Sequence, residues 1–282
     1  AVASGKGGTG KTFVSTNLFW AAQAVGIEST LVDCDAEEPN VSEFISGETL
    51  FVEPVFQKIP VIDTEQCAFC GKCQEYCNYN AIIGLPYSGY ISVIEELCHD
   101  CGACFEACEI DVISEKEKLI GVIKSIKIND HTNIIEACSE IGVYSPVPVI
   151  RKSIKKAEPQ SLIILDSPPG ISCPFIATVE NADFVVLVTE PTPFGLNDLK
   201  LSVETLIEIG KPFGVVINRA GLGDDAVYKW VKEENISLLM EIPFEMEIAK
   251  IYSEGKLLVE NNQKYHSKFI KLLRTIEDKL TK

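Results

Sequence analysis

Basic residues are scarce in this sequence, which has 25 lysines and arginines against 41 aspartates and glutamates and a formal net charge of −16. Non-specific binding to DNA or to an anionic membrane needs clustered Lys and Arg, so the composition argues against nucleic-acid and membrane partners. The sequence also has no run of about 20 apolar residues, which a transmembrane helix would need, and no signal-peptide pattern. These absences predict a cytoplasmic protein.

Histidine chemistry and disulfides are also disfavoured. The three histidines, His99, His131 and His266, stand alone, and none is predicted to do chemistry. The eleven cysteines do not form a disulfide framework in a reducing cytosol, so they need another explanation. With 282 residues, 46% of them hydrophobic, the chain can build one large α/β domain or two small ones.

A glycine-rich loop stands near the start of the chain, in the stretch SGKGGTGKT at residues 4–12. It follows a short apolar run, residues 1–3, and precedes an amphipathic stretch, residues 13–24, which is the strand–loop–helix context of a phosphate-binding loop. Because the apolar run already looks like a strand, we expect a few residues to precede it. Glycines let backbone N–H groups surround phosphate oxygens, and the helix N-terminus adds its positive end. The pattern predicts binding of ATP or ADP by Gly5, Gly7, Gly8, Thr9, Gly10, Lys11 and Thr12. Lys11 would contact the β/γ-phosphates and Thr12 would ligate Mg²⁺.

Eight cysteines form a repeated pattern, C-x₂-C-x₂-C-x₃-C, whose two copies are 31 residues apart. This is the spacing of two-cluster bacterial ferredoxins, in which three thiolates hold one face of a cubane and the fourth comes from the other copy. We expect one [4Fe–4S] cluster on Cys67, Cys70, Cys73 and Cys108, and a second on Cys98, Cys101, Cys104 and Cys77. Zinc, the alternative, prefers two C-x₂-C pairs. Asn78 and Glu109 replace the usual proline after the fourth cysteine, which removes no ligand.

The cysteines lie in residues 61–113, called the insert below, which carry nine acids and one lysine. This charge predicts attraction of a basic electron-transfer partner or of a basic face of the same protein. The aromatic residues of the insert are expected to shield the clusters: Phe69, Tyr76, Tyr79, Tyr87, Tyr90 and Phe105.

Lys6, directly after the first glycine of the loop, completes the sequence KGGTGKT. This loop resembles the deviant P-loop of the MinD/ParA/nitrogenase iron protein family, and the resemblance covers residues 1–60 and about 114–282. It implies a Mg²⁺-dependent ATPase that forms a homodimer in the ATP state. In that family the lysine corresponding to Lys6 reaches across the dimer interface to the partner's nucleotide.

Four further positions take their expected roles from the resemblance. Asp35 in DCDAEEPN would orient the attacking water, although an acid after a strand can also be a helix cap. In DSPPG, Asp166 would hold Mg²⁺ through water and Gly170 would sense the γ-phosphate. Asn218, in FGVVINR, would recognise adenine. Pro243, with Phe244, stands where the family's backbone contacts the base.

Alternating strands and helices predict an α/β fold, a P-loop NTPase with a mostly parallel sheet and the ligand at the carboxyl edge of its strands. The predicted domains are an ATPase, residues 1–60 and 114–282, and the inserted α+β ferredoxin-like domain, residues 61–113. Further strands are expected over residues 29–33, 50–62, 161–166, 184–189, 213–219 and 238–242. Residues 118–128 look like a hairpin. The last helix, residues 263–281, should pack in the core through Phe269, Leu272, Leu273, Ile276 and Leu280.

Three cysteines lie outside the repeat. Cys34 is expected to be a small buried apolar residue. Cys173 stands seven residues after Asp166, as a cluster ligand does in nitrogenase iron protein, yet a buried free thiol is the favoured interpretation. Cys138 is a weak candidate for the second ligand of such a pair.

Three functions are compatible with these features. In the first, the nucleotide state gates electron transfer from the two clusters to an unidentified client. In the second, the protein is an assembly or carrier ATPase for an iron–sulfur or other metal centre, an interpretation weakened by the absence of a terminal C-x₂-C. In the third, it is a positioning switch of the MinD type, weakened by the absence of a membrane-binding tail.

Overall fold

A computed structural model describes residues 1–157 and 162–281. Its centre is a nine-stranded sheet in the order β11-β10-β9-β1-β8-β2-β7-β6-β3, and a separate two-stranded sheet is formed by β4 and β5. The strands are β1 Val2–Ala3, β2 Ser29–Asp33, β3 Glu48–Ile62, β4 Ile82–Leu85, β5 Tyr90–Val93, β6 Ile113–Asn129, β7 Thr132–Ser139, β8 Leu162–Asp166, β9 Val185–Thr189, β10 Phe213–Ala220 and β11 Leu238–Pro243.

The strands from β11 to β7 run parallel, which confirms the predicted mostly parallel α/β P-loop fold. Their near-continuous Val, Ile and Leu content is typical of strands covered by helices on both faces. The helices are α1 Lys11–Ala24, α2 Lys72–Glu75, α3 Ala103–Glu106, α4 Val147–Lys156, α5 Cys173–Val179, α6 Pro193–Glu208, α7 Ala226–Glu233, α8 Met246–Ser253, α9 Leu258–Asn261 and α10 Gln263–Leu280. The predicted strand 161–166 begins in the described chain at Leu162, since residue 161 lies outside the described residues.

Two apolar cores cover the two faces of the sheet. On one face, α1 packs with α8, α9 and α10. On the other, α4, α5, α6 and α7 bury their apolar sides. The last helix packs into the first core as predicted through Phe269, Leu272, Leu273 and Ile276, whereas Leu280 is exposed in the final turn.

The expected hairpin over residues 118–128 is wrong. That segment lies inside one long strand, β6, which pairs antiparallel with β3 on one side and with β7 on the other. The hairpin turn falls later, between Asn129 and Thr132. Alternation of side chains cannot by itself tell one 17-residue strand from two short ones, and here no glycine–asparagine turn interrupts the run.

β3 and β6 form a long two-stranded ribbon that carries residues 63–112 at its end. The ribbon runs from Glu48 opposite Lys127 to Ile62 opposite Ile113, and the Asp63 N–H donates to the Val112 carbonyl at 2.9 Å where it closes. β3 is the last strand of the sheet order, so the ribbon lies at the edge of the sheet.

The two cysteine repeats fold alike. The short helices α2 and α3 begin at Lys72 and Ala103, 31 residues apart. Left-handed backbone also recurs at this spacing, at Phe69 and Asp100 (φ 50° and 52°), Gly71 and Gly102 (80° and 74°), and Asn80 and Asp111 (52° and 51°). Such φ values are uncommon outside glycine, so their recurrence shows that the loops share one backbone path.

Among the described residues, no helix combines the length and apolarity needed to cross a membrane.

Candidate functional site

The phosphate-binding loop joins β1 to α1 at the carboxyl edge of the sheet. Gly8 and Gly10 take positive φ angles, 75° and 97°, which a side chain would disfavour. A Cβ on Gly10 would also collide with the side-chain amide of Asn218. Gly5 has a different task, because a Cβ there would collide with the backbone of Asp198 in α6. The glycines therefore shape the loop and let it approach its neighbours.

Lys11, the first residue of α1, is influenced by the charges of two carboxylates. It is buried, and burial lowers its pKa, while the charges of Asp166 and Asp35 oppose this shift. Burial raises the pKa of Asp35 to about 6, and Lys11 opposes that rise. The structure thus brings Lys11, Asp35 and Asp166 into one electrostatic cluster, although they come from three separate parts of the chain.

Asp33 fixes the backbone of the loop that carries Asp35. Its carboxylate accepts hydrogen bonds from the backbone N–H groups of Asp35 (3.1 Å), Asn40 (2.9 Å) and Val41 (3.0 Å). Burial raises its pKa well above the usual value, and the neighbouring charge of Asp166 adds to the rise. In the sheet, Asp33 stands directly opposite Asp166. The first acid of the D-x-D motif is therefore structural, whereas Asp35 lines the cavity.

Asp166 has the properties expected of a metal-associated carboxylate. It is 1% exposed, and neither carboxylate oxygen has a hydrogen-bond partner within the described chain. Burial raises its pKa to about 6, against the opposing influence of the Thr12 hydroxyl and of Lys11. A buried carboxylate without partners is costly unless a cation or donor compensates it. Oxygen ligands of this kind suit Mg²⁺, which keeps several waters, so Thr12 and Asp166 fit the metal that the sequence predicts.

A cavity of about 510 Å³ opens beside the loop, a volume within the range of ligand sites. Gly7, Gly8, Gly10, Lys11, Thr12, Asp35 and Pro169 line its phosphate end; Asn218, Arg219, Pro243, Phe244 and Tyr252 line the rest. Gly170, with φ 88°, follows Pro169. The cavity thus collects most of the predicted nucleotide-binding residues.

Both polar atoms of the Asn218 side-chain amide form hydrogen bonds within the chain. Its Nδ2 donates to the Thr9 carbonyl at 2.8 Å, and its Oδ1 accepts from the Arg219 N–H at 2.9 Å. It therefore ties β10 to the phosphate-binding loop. A role toward adenine remains a proposal.

Lys6 points back onto its own chain. Its Nζ lies 2.6 Å from Oε1 of Glu190, and the guanidinium of Arg219 lies 2.9 Å from Oε2 of the same carboxylate. Burial would raise the pKa of Glu190, but Lys6 and Arg219 together lower it below its usual range.

The eight repeat cysteines lie around two cavities in the insert. The first, of about 150 Å³, is lined by Cys67, Cys70, Cys73 and Cys108. The second, of about 20 Å³, is lined by Cys77, Cys98, Cys101 and Cys104. Each cavity draws three cysteines from one repeat and one from the other, which is the grouping that the spacing predicts for two clusters.

Corresponding cysteines of the two repeats have matched exposure. Cys73 and Cys104 are buried, Cys70 and Cys101 are exposed, and the remaining four are intermediate. Burial raises the pKa of the Cys104 thiol to about 11, so metal binding there would have to displace a proton. Backbone N–H groups reach two sulfurs, Phe69 to Cys67 at 3.4 Å and Ala81 to Cys77 at 3.3 Å. Such contacts tune the potential of a cluster that the thiolates hold.

No three His, Cys, Asp or Glu side chains converge closely enough to hold a single metal ion within residues 1–157 and 162–281.

The three cysteines outside the repeat differ in exposure. Cys34 is buried as predicted, and Cys138 is intermediate. The expectation that Cys173 is buried is wrong, because it is exposed as the first residue of α5, after the extended Ser172.

The tyrosines expected to shield the clusters are exposed. Tyr76, Tyr79, Tyr87 and Tyr90 all reach solvent, Tyr87 completely, although Tyr79 also lines the second cysteine cavity; Phe69 and Phe105 pack against the core of the insert. The insert is too small to bury them, since its β4–β5 sheet has only two strands.

Two sets of contacts, connected by a turn of the chain, lie between the nucleotide cavity and the second cysteine cavity. Next to Asp35, the Ala36 carbonyl accepts from both the N–H (2.7 Å) and the hydroxyl (3.0 Å) of Ser139 at the end of β7. A turn then leads to Tyr144, whose ring meets the His99 ring edge-on with the ring centroids 6.0 Å apart. The His99 ring stacks on the Tyr79 ring with their centroids 3.8 Å apart, and both residues line the second cysteine cavity.

Sequence reasoning missed three residues of the site: Glu190, Arg219 and Tyr252. Glu190 directly follows β9, and Arg219 is the next-to-last residue of β10. The rule that ligands bind at the carboxyl edge of parallel strands could therefore have found both. Tyr252 lies on α8, stacked on Phe44 at 5.1 Å, and no local signal marks it.

A model described as the CobQ/CobB/MinD/ParA nucleotide binding domain matches residues 1–259. The uncharacterized protein MJ0579 of Methanocaldococcus jannaschii is 31% identical over 268 residues, covering 93% of this chain and 91% of that protein. The uncharacterized ATP-binding protein MJ0823 of the same organism is 23% identical over 259 residues, covering 90% and 88%.

Two solved structures share the fold. The septum site-determining protein MinD complexed with Mg-ADP, from Pyrococcus horikoshii, gives a TM-score of 0.59 at 21% identity and covers 98% of this chain and 93% of its own. The cell division ATPase MinD of Pyrococcus furiosus gives 0.59 at 22% identity and covers 98% of both chains. At these identities the likeness concerns the fold alone.

Proposed function

The chain belongs to the CobQ/CobB/MinD/ParA nucleotide-binding family, and we propose that it hydrolyses ATP and thereby gates electron transfer from two [4Fe–4S] clusters in its insert. In this proposal the ATPase domain comprises residues 1–60 and 114–282, and residues 61–113 form the ferredoxin-like insert. Two protomers pair in the ATP state.

The nucleotide cavity supports the ATPase half of the proposal. The loop N–H groups and Lys11 would bind the phosphates, and Thr12 and Asp166 would hold Mg²⁺, which neutralises phosphate charge when bound. Asp35 would orient water for attack. Its carboxylate lines the same cavity, and its backbone N–H is held by Asp33.

The two cysteine cavities support the iron–sulfur half. Thiolates of Cys67, Cys70, Cys73 and Cys108 would hold one cluster, and those of Cys77, Cys98, Cys101 and Cys104 the other. When bound, the clusters would supply one-electron chemistry. The repeated cysteine spacing and the grouping of the cysteines around the two cavities are the observations that support this half of the proposal.

The observation that carries the coupling is the path formed by the hydrogen bonds of Ala36 with Ser139, the turn that leads from Ser139 to Tyr144, and the contact of Tyr144 with His99. Loops that contact the γ-phosphate and Mg²⁺ change conformation with the nucleotide state. A shift of the Asp35 loop would move the end of β7, and with it the aromatic contact on the second cysteine cavity.

The test uses anaerobically prepared protein. Iron and sulfide near eight each per chain are expected, as for a two-cluster ferredoxin. The cluster potentials are then titrated with ATP-Mg²⁺ and with ADP in the Asp35→Ala variant, which should bind ATP without hydrolysing it. A coupling factor of ten corresponds to about 60 mV for a one-electron couple.

Tyr144→Ala should remove the difference in potential between the ATP and ADP states. Tyr87→Ala, which changes a fully exposed tyrosine of the insert, is the matched control and should leave the difference unchanged. Stoichiometric zinc without iron would eliminate the redox function. Clusters with identical potentials and electron-transfer rates in both states would favour the assembly ATPase or the MinD-type switch instead.

A further inference from the structure

The carboxylate of Glu190 forms ion pairs with two cationic side chains beside the nucleotide cavity. It follows β9 directly, and its side chain is only 10% exposed. Its two carboxylate oxygens are divided between partners: Oε1 contacts Lys6 at 2.6 Å, and Oε2 contacts Arg219 at 2.9 Å. The lysine that distinguishes this P-loop is therefore bound within its own protomer.

This contact conflicts with a role for Lys6 across an interface. With its ammonium against Glu190, the side chain follows its own sheet edge and is 29% exposed. To contact a nucleotide in a second protomer, the side chain must leave Glu190 and turn outward. In the structure, the contact with Glu190 holds Lys6 on its own chain.

Release of Lys6 does not leave a buried charge alone. Breaking a buried ion pair is strongly destabilising mainly because the remaining charge loses its partner. Here Arg219 stays on the second carboxylate oxygen, and the Thr192 hydroxyl lies 3.4 Å from the first. Two cations on one carboxylate thus make the contact with Lys6 reversible.

We propose that Glu190 is a positioning residue that latches Lys6 inside the nucleotide-free protomer and releases it when ATP brings two protomers together. The inference rests on the proposed ATP-dependent pairing. Nucleotide phosphates offer Lys6 a competing anionic partner, and Arg219, which also lines the nucleotide cavity, keeps Glu190 compensated.

The test compares Glu190→Gln with a matched control, Glu53→Gln. Glu53 also holds two cations on one carboxylate, Lys152 at 3.0 Å and Lys156, but it lies on β3, outside the residues that line the nucleotide cavity. The first readout is the rate at which an amine-acylating reagent modifies Lys6 in nucleotide-free protein, followed by peptide mass spectrometry. Glu190→Gln should raise this rate about fivefold, the range of a partly exposed ion pair, and Glu53→Gln should not.

The second readout is the ATP concentration at which half of the protein is dimeric, measured by light scattering in the Asp35→Ala background. Adding Glu190→Gln should lower this concentration about fivefold, which is about 1 kcal/mol. If Glu190→Gln fails to fold, Glu190→Asp replaces it, since a side chain shorter by one methylene should also loosen the contact and move both readouts in the same direction.

The possible results distinguish failure of the latch from failure of the proposed ATP-dependent pairing. The latch would be overturned if Glu190→Gln left the acylation rate of Lys6 unchanged. It would also be overturned if Glu190→Gln left unchanged or raised the ATP concentration at which half of the protein is dimeric. If the Asp35→Ala parent stays monomeric with ATP, the proposed pairing fails, and with it the release step. In that case faster acylation of Lys6 would support only the holding of Lys6 by Glu190.

Discussion

Asp166→Asn should remove a pH-dependent cost to the stability of the nucleotide-free protein, and with it the response to Mg²⁺. The wild-type carboxylate is buried and has no hydrogen-bond partner within the described chain. Burial raises its pKa from an ordinary value of 3.8 to about 6, so the ionised form is penalised in the folded state.

The sign and size of the effect follow from proton linkage. Below pH 3.8 the group is protonated in both the folded and the unfolded chain, so it contributes nothing. The free energy that the ionised carboxylate costs the folded state grows as the pH rises from 3.8 to about 6. Above that pH the cost is constant at about 3 kcal/mol. About 1.4 kcal/mol of it develops between pH 5 and pH 8.

The assay is urea unfolding of nucleotide-free protein, with EDTA, at several values between pH 5 and pH 8. The amide that Asp166→Asn introduces is buried and unpaired, which itself costs about 1–3 kcal/mol at every pH. The informative quantity is therefore the slope: the free energy of unfolding of the wild type should fall by about 1.4 kcal/mol relative to the variant as the pH rises. Mg-ADP should stabilise the wild type far more than the variant. Parallel pH profiles for the two proteins would refute the reasoning.

Two further predictions concern the phosphate-binding loop. Lys11→Ala should abolish ATP binding in calorimetry, whereas Asp35→Ala should bind ATP and lose hydrolysis; normal turnover of Asp35→Ala would contradict its role. Gly10→Ala should weaken ATP binding by about tenfold or more, because its Cβ would meet the Asn218 amide at a φ of 97°. Gly26→Ala is the control: φ is 77° but the surroundings are open, so it should cost about 1 kcal/mol of stability and leave ATP affinity unchanged.

Features governed by local sequence were the most predictable from the sequence. The parallel α/β fold follows from strand–helix alternation, and β2 spans residues 29–33 as expected. The phosphate-binding loop is a local motif, so the sequence alone was enough to assign most of its residues to one nucleotide cavity. The grouping of cysteines in each cavity follows from a repeat whose spacing fixes the backbone.

Features set by distant contacts were harder to predict. Glu190 binds Lys6 across 184 positions, and nothing in its neighbourhood in sequence indicates that contact. The exposure of Cys173 and of the insert's tyrosines depends on how much of the chain packs around them. The single strand β6 takes its length from pairing with two partners, which alternation of side chains does not reveal.

The ribbon of β3 and β6 also makes residues 63–112 a detachable module. The two ends of that segment are joined by the hydrogen bond from Asp63 to Val112, so the chain leaves and re-enters the ribbon at one point. Domains with adjacent ends are those that tolerate insertion and removal. A short turn in place of residues 63–112 would close β3 and β6 as an ordinary hairpin and leave every strand of the main sheet paired. Such a truncated protein would show what the nucleotide-binding domain does without the eight repeat cysteines.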